Sequence, residues 1–256
     1  MLKVDYFDYY LLQAVDRYSF ISETELKPSF FKFYNFLVEK QKEGKIKYIG
    51  FSFHDTPPYL EHLLKTLKWD FCQLQLNYYD WYVGYAKDLY FITEKYNVPI
   101  FVMGGLKGGL LGDRNGIPPK YAYNFLNLLP NVKLILNGSP DIEQLHANNK
   151  MINNPTPITQ YELEVMKKIA YADTSIQCTE CNYCKDKCPV GLNISQIFKD
   201  YNKAIKNKEG KQYLEIMKSN DNFILRCKGC RNCETYCPQH LPISRLMKER
   251  IFQLRL

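Results

Sequence analysis

The chain has 256 residues, of which 46% are apolar and 24% charged, and a formal net charge of +7. That balance belongs to a folded globular protein with room for one large domain or two modest ones. No apolar run approaches the roughly 18 residues that span a bilayer, and no charged n-region followed by an apolar stretch opens the chain. The expectation is therefore a soluble protein in the reducing cytoplasm. The excess of Lys and Arg, enriched in the last third, fits a solvated surface or an acidic partner such as a small electron carrier. Nucleic acid fits less well, because no recognisable nucleic-acid motif is present.

From the start, strand-like and helix-like segments alternate. Tyr6 to Leu12 is apolar and aromatic enough for a buried strand. Phe30, Phe33, Tyr34, Leu37 and Val38 recur at helical spacing, which predicts a helix over 30–42 that Gly44 stops. Ile46 to Ser52 reads as the next strand. A helix over Pro57 to Leu67 follows, with Asp55 or Thr56 as its cap. Phe71 to Leu76 and Pro99 to Met103 read as strands on either side of a helix from Tyr85 to Tyr96. After a loop holding Gly104, Gly105, Gly108, Gly109 and Gly112 come a helix over 120–129, a strand over 132–136 and a helix over 141–149. Strands alternating with helices at this spacing argue for βαβ units and a parallel sheet. The pattern leaves open whether the five strands make an open sheet or part of a barrel. Cys72, inside an apolar run, reads as a small buried hydrophobe.

Asn153-Asn154-Pro155-Thr156-Pro157 breaks the pattern, and Thr159 to Glu162 is a capping box that starts another helix, running to about Ala172. Beyond it stand eight of the nine cysteines. Cys178, Cys181, Cys184 and Cys188, followed by Pro189, form a C-x2-C-x2-C-x3-C-P run, and Cys227, Cys230, Cys233 and Cys237, followed by Pro238, repeat it. This is the run by which bacterial ferredoxins hold [4Fe–4S] clusters. In two-cluster ferredoxins the fourth cysteine of each run serves the other cluster. That resemblance implies Cys178, Cys181, Cys184 and Cys237 on one cluster and Cys227, Cys230, Cys233 and Cys188 on a second. Zinc is a poor alternative, since it usually takes two C-x2-C pairs into one tetrahedron. Ile194, Ile197, Phe198, Tyr201 and Ile205 form one helical stripe. Ile243, Leu246, Met247, Ile251 and Leu254 form another, so the cluster domain is expected to be helical. His240, three residues after Cys237, is expected near a cluster rather than on it. His54, His62 and His146 have no ligand cluster beside them.

The first part of the chain resembles the aldo/keto reductases. Lys45-Ile-Lys-Tyr-Ile-Gly-Phe-Ser-Phe-His54 is similar to their fifth-strand signature and Asp5 to Leu12 to their fourth strand. Asp70 to Asn77 is similar to the sixth strand, and Asn137 through Gln144 to Asn148 to the loop and helix after the eighth. The resemblance implies a partial (β/α)8 TIM barrel, strands four to eight, over 1–154. A linker and helix would occupy 155–177, and an α-helical ferredoxin-type domain with two [4Fe–4S] clusters 178–256. A complete barrel takes about 250 residues, so three strands are absent from this stretch. The family's catalytic Asp, Tyr and Lys belong to that part, and Gln13 stands where the family has its catalytic His. An amide is no general acid near neutral pH, so no catalytic residue is assigned.

The resemblance further implies what remains of an NADP(H) site. Ser52 and Gln73 match positions that bond the nicotinamide carboxamide, while Phe53 stands where many members have Asn. Gly104-Gly105-Leu106-Lys107-Gly108-Gly109 matches the segment after strand seven, with Lys107 as a countercharge to pyrophosphate. Gln144 and Asn148 match positions at the adenine end. Two functions follow as expectations. The first is an iron–sulfur oxidoreductase passing single electrons between a carrier protein and the barrel. The second is a non-catalytic electron-transfer or scaffold subunit whose half barrel is inactive, or is completed by a partner chain or a second copy.

Overall fold

The computed structural model describes residues 3–17, 27–111, 117–173, 175–207 and 226–253, the side chains of 250–253 excepted. The chain divides into two compact units, 1–172 and 173–256. Among the described residues no helix is long and apolar enough to cross a membrane.

The first unit is built on five strands: β1 (Phe7–Val15), β2 (Ile46–Phe53), β3 (Phe71–Gln75), β4 (Ile100–Met103) and β5 (Val132–Ile135). They lie in sequence order and every neighbouring pair is parallel. Parallel neighbours need a crossover, and here each crossover carries helix. These are α1 (Pro28–Lys42), α2 (Pro57–Thr66), the short α3 (Tyr78–Val83) with α4 (Ala86–Lys95), and α5 (Pro119–Asn127). Helix α6 (Ile142–Asn153) follows β5. Proline at the first positions of α1, α2 and α5 loses no helical bond there, and its fixed φ suits a helix start. Gly44, in left-handed conformation at φ 73°, ends α1 by donating to the Gln41 carbonyl.

One side of the sheet meets the helices. Phe30, Phe51, Leu60, Leu63, Leu74 and Leu126 are buried there in one cluster. The other side is concave and aromatic. The Tyr9 ring stacks on Tyr48 at 5.0 Å and meets Phe101, three strands away, edge-on at 5.2 Å. Phe71 stacks on Phe101 at 4.5 Å, and its ring crosses Gly50, where a Cβ would lie 2.5 Å from it. Contact between the first and fourth strands requires strong curvature, as in a sector of a barrel. Among the described residues β1 pairs only with β2 and β5 only with β4, so the sheet keeps two edges.

Four local features depart from the sequence expectations. Strand β1, expected to be buried, is exposed over Phe7–Tyr10, because among the described residues it has a strand neighbour on one side only. Helix α3 lies where no helix was expected. Its aromatic run YYDWYV has no polar rhythm, and Asn77 starts it by accepting from the Asp80 amide at 2.8 Å. Thr56 is the cap residue of α2 but makes no side-chain cap bond, and the Asp55 carboxylate turns to Arg17 instead. Helix α7 (Gln160–Ala172), begun by the Thr159–Glu162 box, is no free connector. It buries Met166 and Ala170 in the core of the first unit and packs on α3.

The second unit contains α8 (Ile194–Asn207) and α9 (Ile243–Gln253), each following a cysteine run. Ile194, Ile197, Phe198, Tyr201, Ile243 and Met247 form its buried core with Cys184 and Cys233. The expected stripe residue Leu254 lies outside the described residues, as do the side chain of Ile251 and Gly112 of the glycine loop. Cys227 lies 49 residues after Cys178, and that offset holds for the backbone too. Glu180, Asn182 and Gly191 have positive φ, and so do their counterparts Gly229, Arg231 and His240. The two halves are copies of one loop-and-helix design.

Candidate metal centre

Each cysteine run is a loop with a left-handed residue on either side of its second cysteine, Glu180 and Asn182 in the first copy and Gly229 and Arg231 in the second. One short 3-10 turn follows each triplet, Lys185–Lys187 in the first copy and Glu234–Tyr236 in the second. The last cysteine of each run then leaves in extended conformation toward the opposite half. The result is two cavities of similar size. Cys178, Cys181, Cys184 and Cys237 line one. Cys188, Cys227, Cys230 and Cys233 line the other. Ile194 and Ile243 line both and so stand between them. Equivalent positions share exposure: Cys184 and Cys233 are buried, whereas Cys181 and Cys230 are exposed.

All nine cysteines are free thiols. Among the described residues no group of three or more His, Cys, Asp or Glu side chains is disposed to hold a single metal ion. Four thiols line each of the two cavities, a donor set of the kind that holds iron–sulfur clusters in ferredoxins. Backbone amides support the sulfurs: that of Glu180 faces Cys178, and those of Gln239 and Leu241 face Cys237. Hydrogen bonds of this kind tune the potential of an iron–sulfur centre. Burial pushes the Cys178 thiol up to about 11 and Cys233 up to about 12, and raises Cys184 and Cys237 as well. In the metal-free protein these groups hold their protons at neutral pH, so metal uptake must release them. His240 is exposed, and its amide donates to the Cys237 carbonyl at 3.0 Å.

The nucleotide-site candidates lie at the end of the half barrel, and most of their polar atoms already have partners. Ser52 is 3% exposed and its Oγ accepts from the Ala14 amide at 2.7 Å. Gln73 donates to the Met103 sulfur at 3.3 Å. Lys107, expected as a countercharge to phosphate, is turned inward instead. It is 3% exposed, ion-paired with Asp80, and its ammonium lies 5.1 Å from the centre of the Tyr79 ring. Asp80 in turn accepts from Gln75 at 2.6 Å and Asn77 at 2.8 Å. Asn148 is buried and donates to Ser139 Oγ at 3.1 Å, beside a depression between β5 and α6 that it lines with Asn137, Asn149 and Asn153. Only Gln144, in the first turn of α6, is exposed.

Gln13 is exposed and sits where the β1–β2 register shifts, next to Ala14 at φ 53°. A second ion pair, buried on its acid side only, holds that strand end. Arg17 is ion-paired with Asp55, donates to Thr56 Oγ1 at 3.1 Å and lies 4.4 Å from the Tyr59 ring centre. Burial pushes the Asp55 carboxyl up, but the Arg17 guanidinium and the Arg17 and Thr56 amides together hold it below its ordinary value. Neither ion pair was legible in the sequence, where no spacing rule joins residues so far apart.

The family model described as the aldo/keto reductase family matches residues 1–151, and that described as a 4Fe-4S dicluster domain matches residues 174–241. Solved structures of similar fold include aldo-keto reductase AKR11C1 from Bacillus halodurans. Its apo form aligns with a TM-score of 0.53 and 20% identity, over 67% of this chain and 64% of that one. The holo form gives 0.54 and 20%, over 67% and 63%. The thermostable aldo-keto reductase Tm1743, in complex with the inhibitor epalrestat, gives 0.50 and 19%, over 64% and 60%. This chain therefore spans somewhat less than two thirds of their lengths, and at such identity the likeness concerns the fold alone. No curated protein matches the chain at a significant level.

Proposed function

The chain belongs to the aldo/keto reductase family and carries a 4Fe-4S dicluster domain, and from that premise we propose that it is an iron–sulfur electron-transfer component. The observation that carries this reading is the composition of the two cavities, each lined by a cysteine triplet from one run and the last cysteine of the other. Cys178, Cys181, Cys184 and Cys237 would hold one [4Fe–4S] cluster, and Cys188, Cys227, Cys230 and Cys233 a second. Such clusters supply one-electron transfer. The chain's own residues do the rest. Ile194, Ile243 and Phe198 exclude water, the amides of Glu180, Gln239 and Leu241 orient toward sulfur, and the exposed Cys181 and Cys230 give each centre an edge near the surface.

The barrel unit is proposed as a non-catalytic scaffold in this chain. Gln13 offers no acid where the family has His, and the engaged Ser52, Lys107 and Asn148 do not fit a ready nucleotide site. The edges of β1 and β5 support completion by a partner chain or a second copy, since exposed sheet edges invite pairing. Anaerobic reconstitution tests the reading. The expected content is about eight irons and eight sulfides per chain, as two such clusters require. Protein that binds one or two zinc ions and no sulfide would overturn it.

A further inference from the structure

The 49-residue repeat lets the rims of the two cavities be compared position by position. Among the described residues no charged one lines the first, where Thr179 and Asn182 stand. At the same two positions the second is lined by Lys228 and Arg231. A third pair of counterparts widens the contrast. In the first copy Lys199 is neutralised by Glu180, with Nζ to Oε2 at 2.7 Å. In the second copy Gly229 replaces that glutamate, and Lys248 takes the place of Lys199. Its Nζ would lie 3.2 Å from a Cβ placed on Gly229, directly over the loop between Cys227 and Cys230. Among the described residues no carboxylate pairs with Lys228 or Lys248. Arg231 is highly exposed, and its nearest acid, Glu234 at 3.9 Å, accepts from the Ser244 amide at 2.8 Å. Elsewhere the first copy is the more basic, with Lys185 and Lys187 where the second has Glu234 and Tyr236, but neither lysine lines a cavity, and Lys187 lies over the Tyr236 ring at 4.5 Å.

Both cavities have an exposed cysteine, so exposure does not distinguish them. Charge does. Accepting the iron–sulfur reading above, we propose that Lys228, Arg231 and Lys248 form the docking surface for an acidic one-electron carrier protein. The carrier then meets the centre held by Cys188, Cys227, Cys230 and Cys233. Three cations around one mouth steer an acidic surface toward it and raise the encounter rate, an effect that salt screens. The exchange moves one electron between the carrier's redox centre and that site, one oxidised as the other is reduced, with no bond made or broken and no proton required. A carrier fits better than nucleic acid because the cations ring a cavity whose Cys230 is exposed and are not spread along a groove. The first cavity, with its neutral lining, is left as the other end of the path.

The test uses the full chain, reconstituted and assayed for iron, with a reduced plant-type [2Fe–2S] ferredoxin of acidic surface as the probe. Stopped-flow electron transfer is compared at equal iron loading for wild type, the Lys228→Glu/Arg231→Glu variant and Lys199→Glu. The expected result is a rate loss of about tenfold or more at low salt for the first variant, fading as salt rises, and little change for the second. Carbodiimide coupling of ferredoxin carboxylates to wild-type amines should mark Lys228 and Lys248 ahead of Lys199. Equal losses in both variants, or iron-loaded protein indifferent to either, would overturn the assignment. So would duplex DNA binding through Lys228 and Arg231 without any effect on ferredoxin. Failure of the underlying reading shows separately and earlier, as protein that takes up no iron.

Discussion

Ile194 and Ile243, the first residues of α8 and α9, occupy equivalent positions in the two copies, and each lines both cysteine cavities. Each is 2% exposed. One apolar layer therefore seals both sites, and damage to it cannot stay local. Truncating such a buried side chain costs about 2–5 kcal/mol and leaves a void. Ile194→Ala is expected to speed chelator-driven iron loss from both centres of the reconstituted protein. Loss from one centre alone, followed by the two kinetic phases of absorbance bleaching, would contradict the shared wall.

The crossing of the fourth cysteines makes a genetic prediction. Cys188 lines the same cavity as Cys227, not that of Cys178. Cys188→Ala should reduce iron from about eight to about four per chain. Adding Cys227→Ala should then change little, because the same site is already lost. Adding Cys178→Ala should remove most of the remaining iron. The reverse pattern in iron analysis would mean that each run serves its own centre.

Lys107 and Asp80 give a stability prediction. The ammonium is 3% exposed and its partner's side chain 15%. Removing the lysine leaves a carboxylate supported by Gln75 and Asn77, and breaking a buried pair on one side costs about 3–5 kcal/mol. Lys107→Met should lower the melting temperature clearly, and Lys107→Met/Asp80→Asn should recover part of the loss. An NADPH titration followed by nicotinamide fluorescence should show no affinity change traceable to Lys107. A variant that keeps its melting temperature but loses NADPH affinity would restore the lysine as a phosphate ligand.

Asp55 gives a pH prediction. Its folded-state pKa is depressed below its ordinary value, so its contribution to stability is present above the unfolded value of about 3.9. That contribution is lost as pH falls through the folded value, because the unfolded chain then binds the proton first. Asp55→Asn should destabilise the protein at neutral pH and flatten the decline of melting temperature between about pH 5 and 3. Thermal melts of both proteins across that range check it. An unchanged slope would mean that other carboxylates set the acid limit.

By itself the sequence determined what depends on neighbours along the chain. The alternation of strand and helix, the stop at Gly44, the Thr159–Glu162 box and the two cysteine runs are spacing patterns over a few residues, and periodicity or ligand chemistry reads them directly. Tertiary structure decided what depends on partners brought together by folding. Lys107 meets Asp80 across 27 positions and Arg17 meets Asp55 across 38, so the amine expected to face phosphate and the acid expected to cap a helix are both engaged elsewhere. The contrast between Glu180 with Lys199 and Gly229 with Lys248 belongs to the same class. A side chain's charge is written in the sequence, but whether that charge is neutralised or left facing water depends on which distant groups the fold sets beside it.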